Sequence, residues 1–267
     1  MTRDLDEALR HLKEAIPAIE PYGSQVVLAG GLVPILYREH YQQASHRPIG
    51  TKEVDFATLR ALPIRGQSIA ENLAERGFHA WAVPGFALQP GRHQYQLDPR
   101  PQISPNYVEF LVTGSHVASV TSQAGLVAQS VPDLDLLFHE PIAVVTSGGQ
   151  LWLPQPACFV IQKVTAWKER EPLKKAKNLA YIYDVCQSTQ PVWVETAASL
   201  ARLATSEPAK RALLEKRMNT LAKLFEEPAA EGPVAVEREC HGQVSTQEAF
   251  DVVQAWLRFH LPSVPQS

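Results

Sequence analysis

Apolar residues recur at Leu5, Leu9, Leu12, Ala15 and Ile16, a spacing of three to four that turns one face of a helix toward a core. The pattern predicts a helix over 5–19, ended by Pro21-Tyr22-Gly23. Gln25-Val26-Val27-Leu28-Ala29 is a short apolar run suited to a buried strand, and Gly30-Gly31 turns it into a second helix over 32–41, with Pro34 fitting the first turn. In Glu53-Val54-Asp55-Phe56-Ala57 the period drops to two, so Glu53 and Asp55 share one face and Val54 and Phe56 the other. That predicts a strand with one wet, acidic face. A helix over 68–76 stopped by Gly77 follows, then strands at 79–83, 86–88 and 94–97. Tyr107-Val108-Glu109-Phe110-Leu111-Val112 is a clearer strand ended by Gly114, and 142–145 with 150–153 form a hairpin around Ser147-Gly148-Gly149.

From Pro156 the period returns to that of helices, expected at 156–170, 173–187, 193–204, 207–226 and 246–259, with 226–242 as an acidic loop containing Pro and Gly. The fold class is therefore α+β: a small mixed-sheet domain over 1–154, then a helical C-terminal domain over 155–267. Asp133 and Asp135 repeat the acidic two-residue spacing, but Pro132 before them and Leu136-Leu137-Phe138 after them suit a helix start with Asp133 near the cap rather than a metal site.

At 267 residues and 45% hydrophobic, the chain can bury a sizeable core. It contains no apolar run of the length a membrane span needs, and Met1-Thr2-Arg3-Asp4 lacks the basic-then-apolar pattern of a leader. A cytoplasmic protein with no membrane partner is expected. Cys158, Cys186 and Cys240 are scattered and odd in number, which suits free thiols. The net charge of −3 leaves no global bias toward polyanions. Such a ligand needs a local patch, for which Lys163, Arg170, Lys174 and Lys177 are candidates, with Trp167, Tyr181 and Tyr183 as stacking surfaces or core. The nine histidines lack ligand spacing, Cys240-His241 sits in the acidic loop, and Ser45-His46 and Ser115-His116 lack a nucleophile's context.

The chemistry centres on the acids. Two carboxylates two residues apart on a strand repel one another unless a cation lies between them, and Glu109 can join them from a neighbouring strand. Three such oxygen donors suit a hard divalent ion. Gly30-Gly31 opening a helix, Thr51-x-Glu53-x-Asp55 on a strand and Glu109 on a later one resemble, in that order, the DNA polymerase β-like nucleotidyltransferase superfamily. Pro156-x-x-Phe159-Val160-x-x-Lys163-x-x-Ala166-x-x-x-Arg170 and Lys174-Lys175-x-Lys177-Asn178-Leu179 look like the helical segment of its AbiEii-type, toxin-like branch, so the likeness spans about residues 25–184. The sequence departs from the pattern in having Glu53 where an Asp is usual, and Leu32-Val33 where many members place a Ser or Thr. Asn178 stands where that branch has an acid.

The resemblance implies a nucleotidyltransferase domain in which Glu53, Asp55 and Glu109 hold Mg²⁺ or Mn²⁺, Glu109 also helping to deprotonate the attacking hydroxyl. It implies that Gly30 and Gly31, with Thr51, Lys174 and Lys177, bind an NTP, and that Lys163 acts beside them in catalysis. The implied partners are the NTP, an RNA or protein acceptor, and an antitoxin. A catalytically silent protein of the same fold, binding nucleotide, RNA or a partner protein, is the rival expectation. Transfer to a small molecule such as an aminoglycoside is a third, which the lysine-rich second half disfavours.

Overall fold

The computed structural model describes residues 3–43, 49–62, 66–83, 92–97, 106–114, 119–121, 126–169 and 172–261. The expected strand at 86–88 and the pairs Ser45-His46 and Ser115-His116 lie outside them. The chain forms two compact units, 1–33 with 50–154 and 34–49 with 155–267. The segment 34–49 therefore groups with the helical unit, where the sequence reading divided the chain only once, at 154.

The first unit is built on a mixed sheet. Its strands are β1 (Val26–Ala29), β2 (Glu53–Thr58), β3 (His79–Val83), β4 (Arg92–Gln96), β5 (Tyr107–Thr113), β6 (Ser119–Thr121) and β7 (Val127–Val131). Their order is β1-β2-β5-β4-β3, with β7 pairing β5 beyond the end of β4 and β6 pairing β7. β2 and β5 run parallel at the centre, which buries both edges of the two acid-bearing strands. Strands β6 and β7 have no counterpart in the sequence reading.

Alternation along the strands builds two layers. On one face Val54, Phe56, Val108 and Phe110 are almost fully buried, the two Phe rings stack with centroids 5.7 Å apart, and Tyr95 meets Phe110 edge-on. Helix α1 (Arg3–Ile19), which buries Leu5, Leu12, Ala15 and Ile16, belongs to this unit, as does α3 (Ile69–Glu75). α3 begins where Ser68 and Glu71 cap one another reciprocally. On the other face Val27, Ala29, Ala57, Leu111 and Val131 pack with Leu134, Leu137, Phe138 and Trp152. Leu134–Phe138 is a 3₁₀ turn, and Asp133 stands before it in a left-handed conformation (φ 55°) whose side chain makes no cap, so the capping role expected of it is not realised. Trp152 comes from a hairpin of β8 (Ile142–Thr146) and β9 (Gly149–Leu153).

The helical unit contains α2 (Val33–His40) from Pro34 onward, α4 (Pro156–Glu169), α5 (Pro172–Ser188), α6 (Trp193–Ser206), α7 (Pro208–Leu224), α8 (Glu231–Glu239) and α9 (Thr246–His260). Helix α8 corrects the loop expected over 226–242. Its Gly-Pro pair, Gly232-Pro233, sits in the first turn, where a missing N–H costs nothing, and Gly232 is so closely packed that an added Cβ would touch the Phe225 ring at 2.5 Å. An ion pair of Arg38 on α2 with Asp184 on α5 is buried within this unit. All three cysteines are buried and outside any disulfide, and no helix among the described residues is long and apolar enough to cross a membrane.

Candidate metal centre

Because β2 and β5 pair in parallel, Asp55 lies directly opposite Glu109, and Glu53 directly opposite Tyr107. Residues opposed in this way project to the same side of the sheet. One carboxylate oxygen from each of Glu53, Asp55 and Glu109 lies within 4.8 Å of the others. The face is less wet than its composition suggests: Asp55 is 8% exposed, Glu109 6%, and Glu53 is half-buried. Three acidic oxygens drawn together out of water are costly unless a cation is shared among them. An all-oxygen, anionic donor set of this kind matches the hard ions Mg²⁺ and Mn²⁺ rather than a thiolate- or imidazole-seeking metal.

Two neighbours that the motif did not flag as such hold Glu53 in place. The Tyr107 hydroxyl donates to Glu53 Oε1 at 2.7 Å. Burial, followed by the charges of Glu109 and Glu53, pushes the pKa of that phenol far above its ordinary 10, so it remains a donor. The signal in the sequence was present, since Tyr107 shares its strand face with Glu109 at a spacing of two. Thr51, expected to meet the nucleotide, is buried, and its Oγ1 accepts the Glu53 backbone N–H at 3.3 Å. It fixes the entry into β2.

The glycine pair forms a buried 3₁₀ turn, Gly30–Leu32, between β1 and α2. Gly30 has φ +69°, where a side chain is strained, and a Cβ there would overlap the carboxylate of Asp55. Ala29, just before it, is opposite Asp55 in the β1–β2 ladder. Glycine is thus what allows the backbone of the turn to lie against the second acid.

In the helical unit, Lys163 is buried, with Nζ 4.9 Å from the centroid of the Phe159 ring and 6.0 Å from that of Tyr181. Lys177 Nζ lies 5.7 Å from the same Tyr181 ring, so one aromatic plate gathers two ammonium groups of the expected cluster. Lys174 is exposed, and Lys175, not singled out from sequence, sits 5.0 Å over Trp167. Asn178 is buried. Tyr181 and Tyr183 are core residues, Tyr183 donating to Glu248 at 2.9 Å. Arg170 lies outside the described residues.

Among solved structures, the chain is similar to an antigenic nucleotidyltransferase-like protein from Paracoccidioides brasiliensis, at 17% identity and a TM-score of 0.39, over 78% of this chain and 93% of that one. No curated protein matches. A family model described as nucleotidyltransferase matches residues 8–205, a span that contains the glycine turn, all three acids and the lysine-bearing helices. By that match the chain belongs to a nucleotidyltransferase family.

Proposed function

We propose that the protein is a metal-dependent nucleotidyltransferase that moves a nucleotide from an NTP to a hydroxyl on RNA or protein. The observation that carries this reading is the buried convergence of Glu53, Asp55 and Glu109 beside a glycine turn that only glycine can bring so close. When bound, divalent metal supplies charge neutralisation at the transferring phosphoryl group and at the attacking oxygen. The protein's own part is positional. Gly30 and Gly31 bring backbone N–H groups to the phosphates, Glu53 and Asp55 hold the ion, and Glu109 accepts the proton of the attacking hydroxyl. Lys163, Lys174 and Lys177 offer positive charge to a polyphosphate or an RNA backbone. Kinship with the AbiEii-type branch, a cytoplasmic location and an antitoxin partner belong to the same proposal, supported by the motif around Lys163 and Lys177.

A catalytically silent nucleotide binder is the second reading. What favours it is that Glu53, itself in place of the usual Asp, already receives a hydrogen bond from Tyr107. Isothermal titration with each of the four NTPs, with and without Mg²⁺, followed by an assay for pyrophosphate release, separates the two. Metal-dependent binding that Asp55→Asn abolishes, together with turnover, supports the transferase. Binding without turnover across RNA and protein acceptors supports the silent form, and absence of binding by folded protein sinks both.

A further inference from the structure

One row of residues crosses the sheet on the acidic face. Ala29 opposes Asp55, Asp55 opposes Glu109, Glu109 opposes Gln94, and Gln94 opposes Trp81. Gln96, two residues beyond Gln94, points to the same side and is itself opposite His79. The row thus has the glycine turn at its β1 end, the carboxylates on β2 and β5, and a strip of amides and an indole on β4 and β3.

Two features of that strip call for a ligand. Gln96 is 4% exposed and its Oε1 has no hydrogen-bond partner, while the Trp81 indole Nε1 is buried and likewise without one. Gln94, between them, is 9% exposed. A buried acceptor and a buried donor left open on one face, next to a candidate reaction centre, are the features that a bound polar group completes.

We propose that Gln94, Gln96 and Trp81 form the subsite for the hydroxyl-bearing acceptor, and that the acceptor presents a sugar ring with neighbouring hydroxyls. The inference rests on the transferase reading above. In-line displacement places the attacking oxygen opposite the leaving pyrophosphate. With the phosphates held at Gly30 and Gly31, the attacking side is the β4–β3 side of the acids, and Glu109 is the carboxylate that borders it. There the hydroxyl oxygen bonds to the α-phosphorus as the bond to the bridging oxygen of pyrophosphate breaks, and the hydroxyl proton passes to Glu109. The attacking hydroxyl is consumed in that contact, so the ligand must offer a further donor to Gln96 Oε1 and a further acceptor to the Trp81 N–H. A ring carrying adjacent hydroxyls does both, whereas a serine or tyrosine side chain has nothing left to give. The chemistry is the same for the terminal ribose of an RNA and for a free sugar or nucleoside.

The test uses the full chain with Mg²⁺ and a non-hydrolysable NTP analogue. Fluorescence anisotropy follows a labelled oligoribonucleotide with a free 3′ cis-diol, the same oligonucleotide with a 3′-phosphate, and a labelled serine-containing peptide. Unlabelled adenosine serves as competitor, and calorimetry reports nucleotide binding in parallel. The diol oligonucleotide is expected to bind, and Gln96→Met and Trp81→Phe, which keep the shape of the strip, are each expected to weaken it about three- to tenfold while nucleotide binding holds. Displacement by adenosine identifies the ring alone as the ligand, and resistance to it identifies the RNA end. The inference is overturned if the variants bind the diol as wild type does, if they lose nucleotide instead, or if the phosphate-blocked oligonucleotide or the peptide binds in its place. Nucleotide binding without diol binding defeats this inference alone, whereas loss of both in wild type defeats the transferase reading beneath it.

Discussion

Gly30→Ala is the substitution whose cost follows most directly from the geometry. Gly30 and Gly77 both carry positive φ, +69° and +83°, but a Cβ on Gly77 meets nothing within 4 Å whereas one on Gly30 overlaps the Asp55 carboxylate. Gly77→Ala therefore measures the backbone strain alone, about 1–2 kcal/mol for an L residue in the left-handed region. Gly30→Ala adds the displacement of either the turn or Asp55, for which overpacking of a close contact costs about 1–3 kcal/mol more. Its total is about 2–5 kcal/mol, and because the atom that must move belongs to a metal-ligand candidate, affinity for Mn²⁺ falls with it. Urea unfolding of the two variants beside wild type gives the stabilities, and a Mn²⁺ titration gives the affinity. If Gly30→Ala costs no more than Gly77→Ala and binds Mn²⁺ equally well, the close approach of the glycine turn to Asp55 is wrong.

Three further outcomes follow from other contacts. Tyr107→Phe removes the donor that orients Glu53 and is expected to lower Mn²⁺ affinity about tenfold, read by titration; unchanged affinity would show that the phenol does not set the ligand's position. Asp184→Ala leaves Arg38 buried without the carboxylate it pairs with in the helical unit and should cost about 3–5 kcal/mol by urea unfolding, a cost that a surface pair would not show. Burial pushes the pKa of His260 down from 6.5 to about 4, so the folded protein binds its proton later than the unfolded chain does. Its contribution is complete above pH about 6.5 and is lost as pH falls toward 4, about 3 kcal/mol in all. His260→Gln should flatten that part of the pH–stability curve, and an unchanged slope would place the proton elsewhere.

The centre was legible in the sequence because its chemistry is written at the period of the structure that carries it. Glu53 and Asp55 alternate with Val54 and Phe56, and Tyr107-Val108-Glu109-Phe110 repeats the pattern. Parallel pairing of the two strands then turns two local patterns into one cluster. The pairing itself could not be read from either segment, nor could the burial of Asp55 and Glu109, which depends on flanking strands and on the turn at Gly30. The motif position of Thr51 gave no hint that its hydroxyl accepts the Glu53 backbone N–H. Short strands such as β6 and β7 escaped because three to five residues carry too little periodicity to stand out from a loop. Helix α8 was obscured by Gly232-Pro233, residues that break a helix in its interior but not in its first turn. Lys163 stood out as a charge in an apolar stretch, and its place beside the Phe159 and Tyr181 rings accounts for a lysine at a buried position.

Anomalous diffraction from crystals soaked with Mn²⁺ and a non-hydrolysable NTP shows whether Glu53, Asp55 and Glu109 share a divalent ion. A manganese peak is expected about 2.2 Å from carboxylate oxygens of all three residues, with the triphosphate on the Gly30 side, and it is expected to vanish in Asp55→Asn. A peak elsewhere with the three acids unligated, or none with nucleotide plainly bound, would contradict a shared ion.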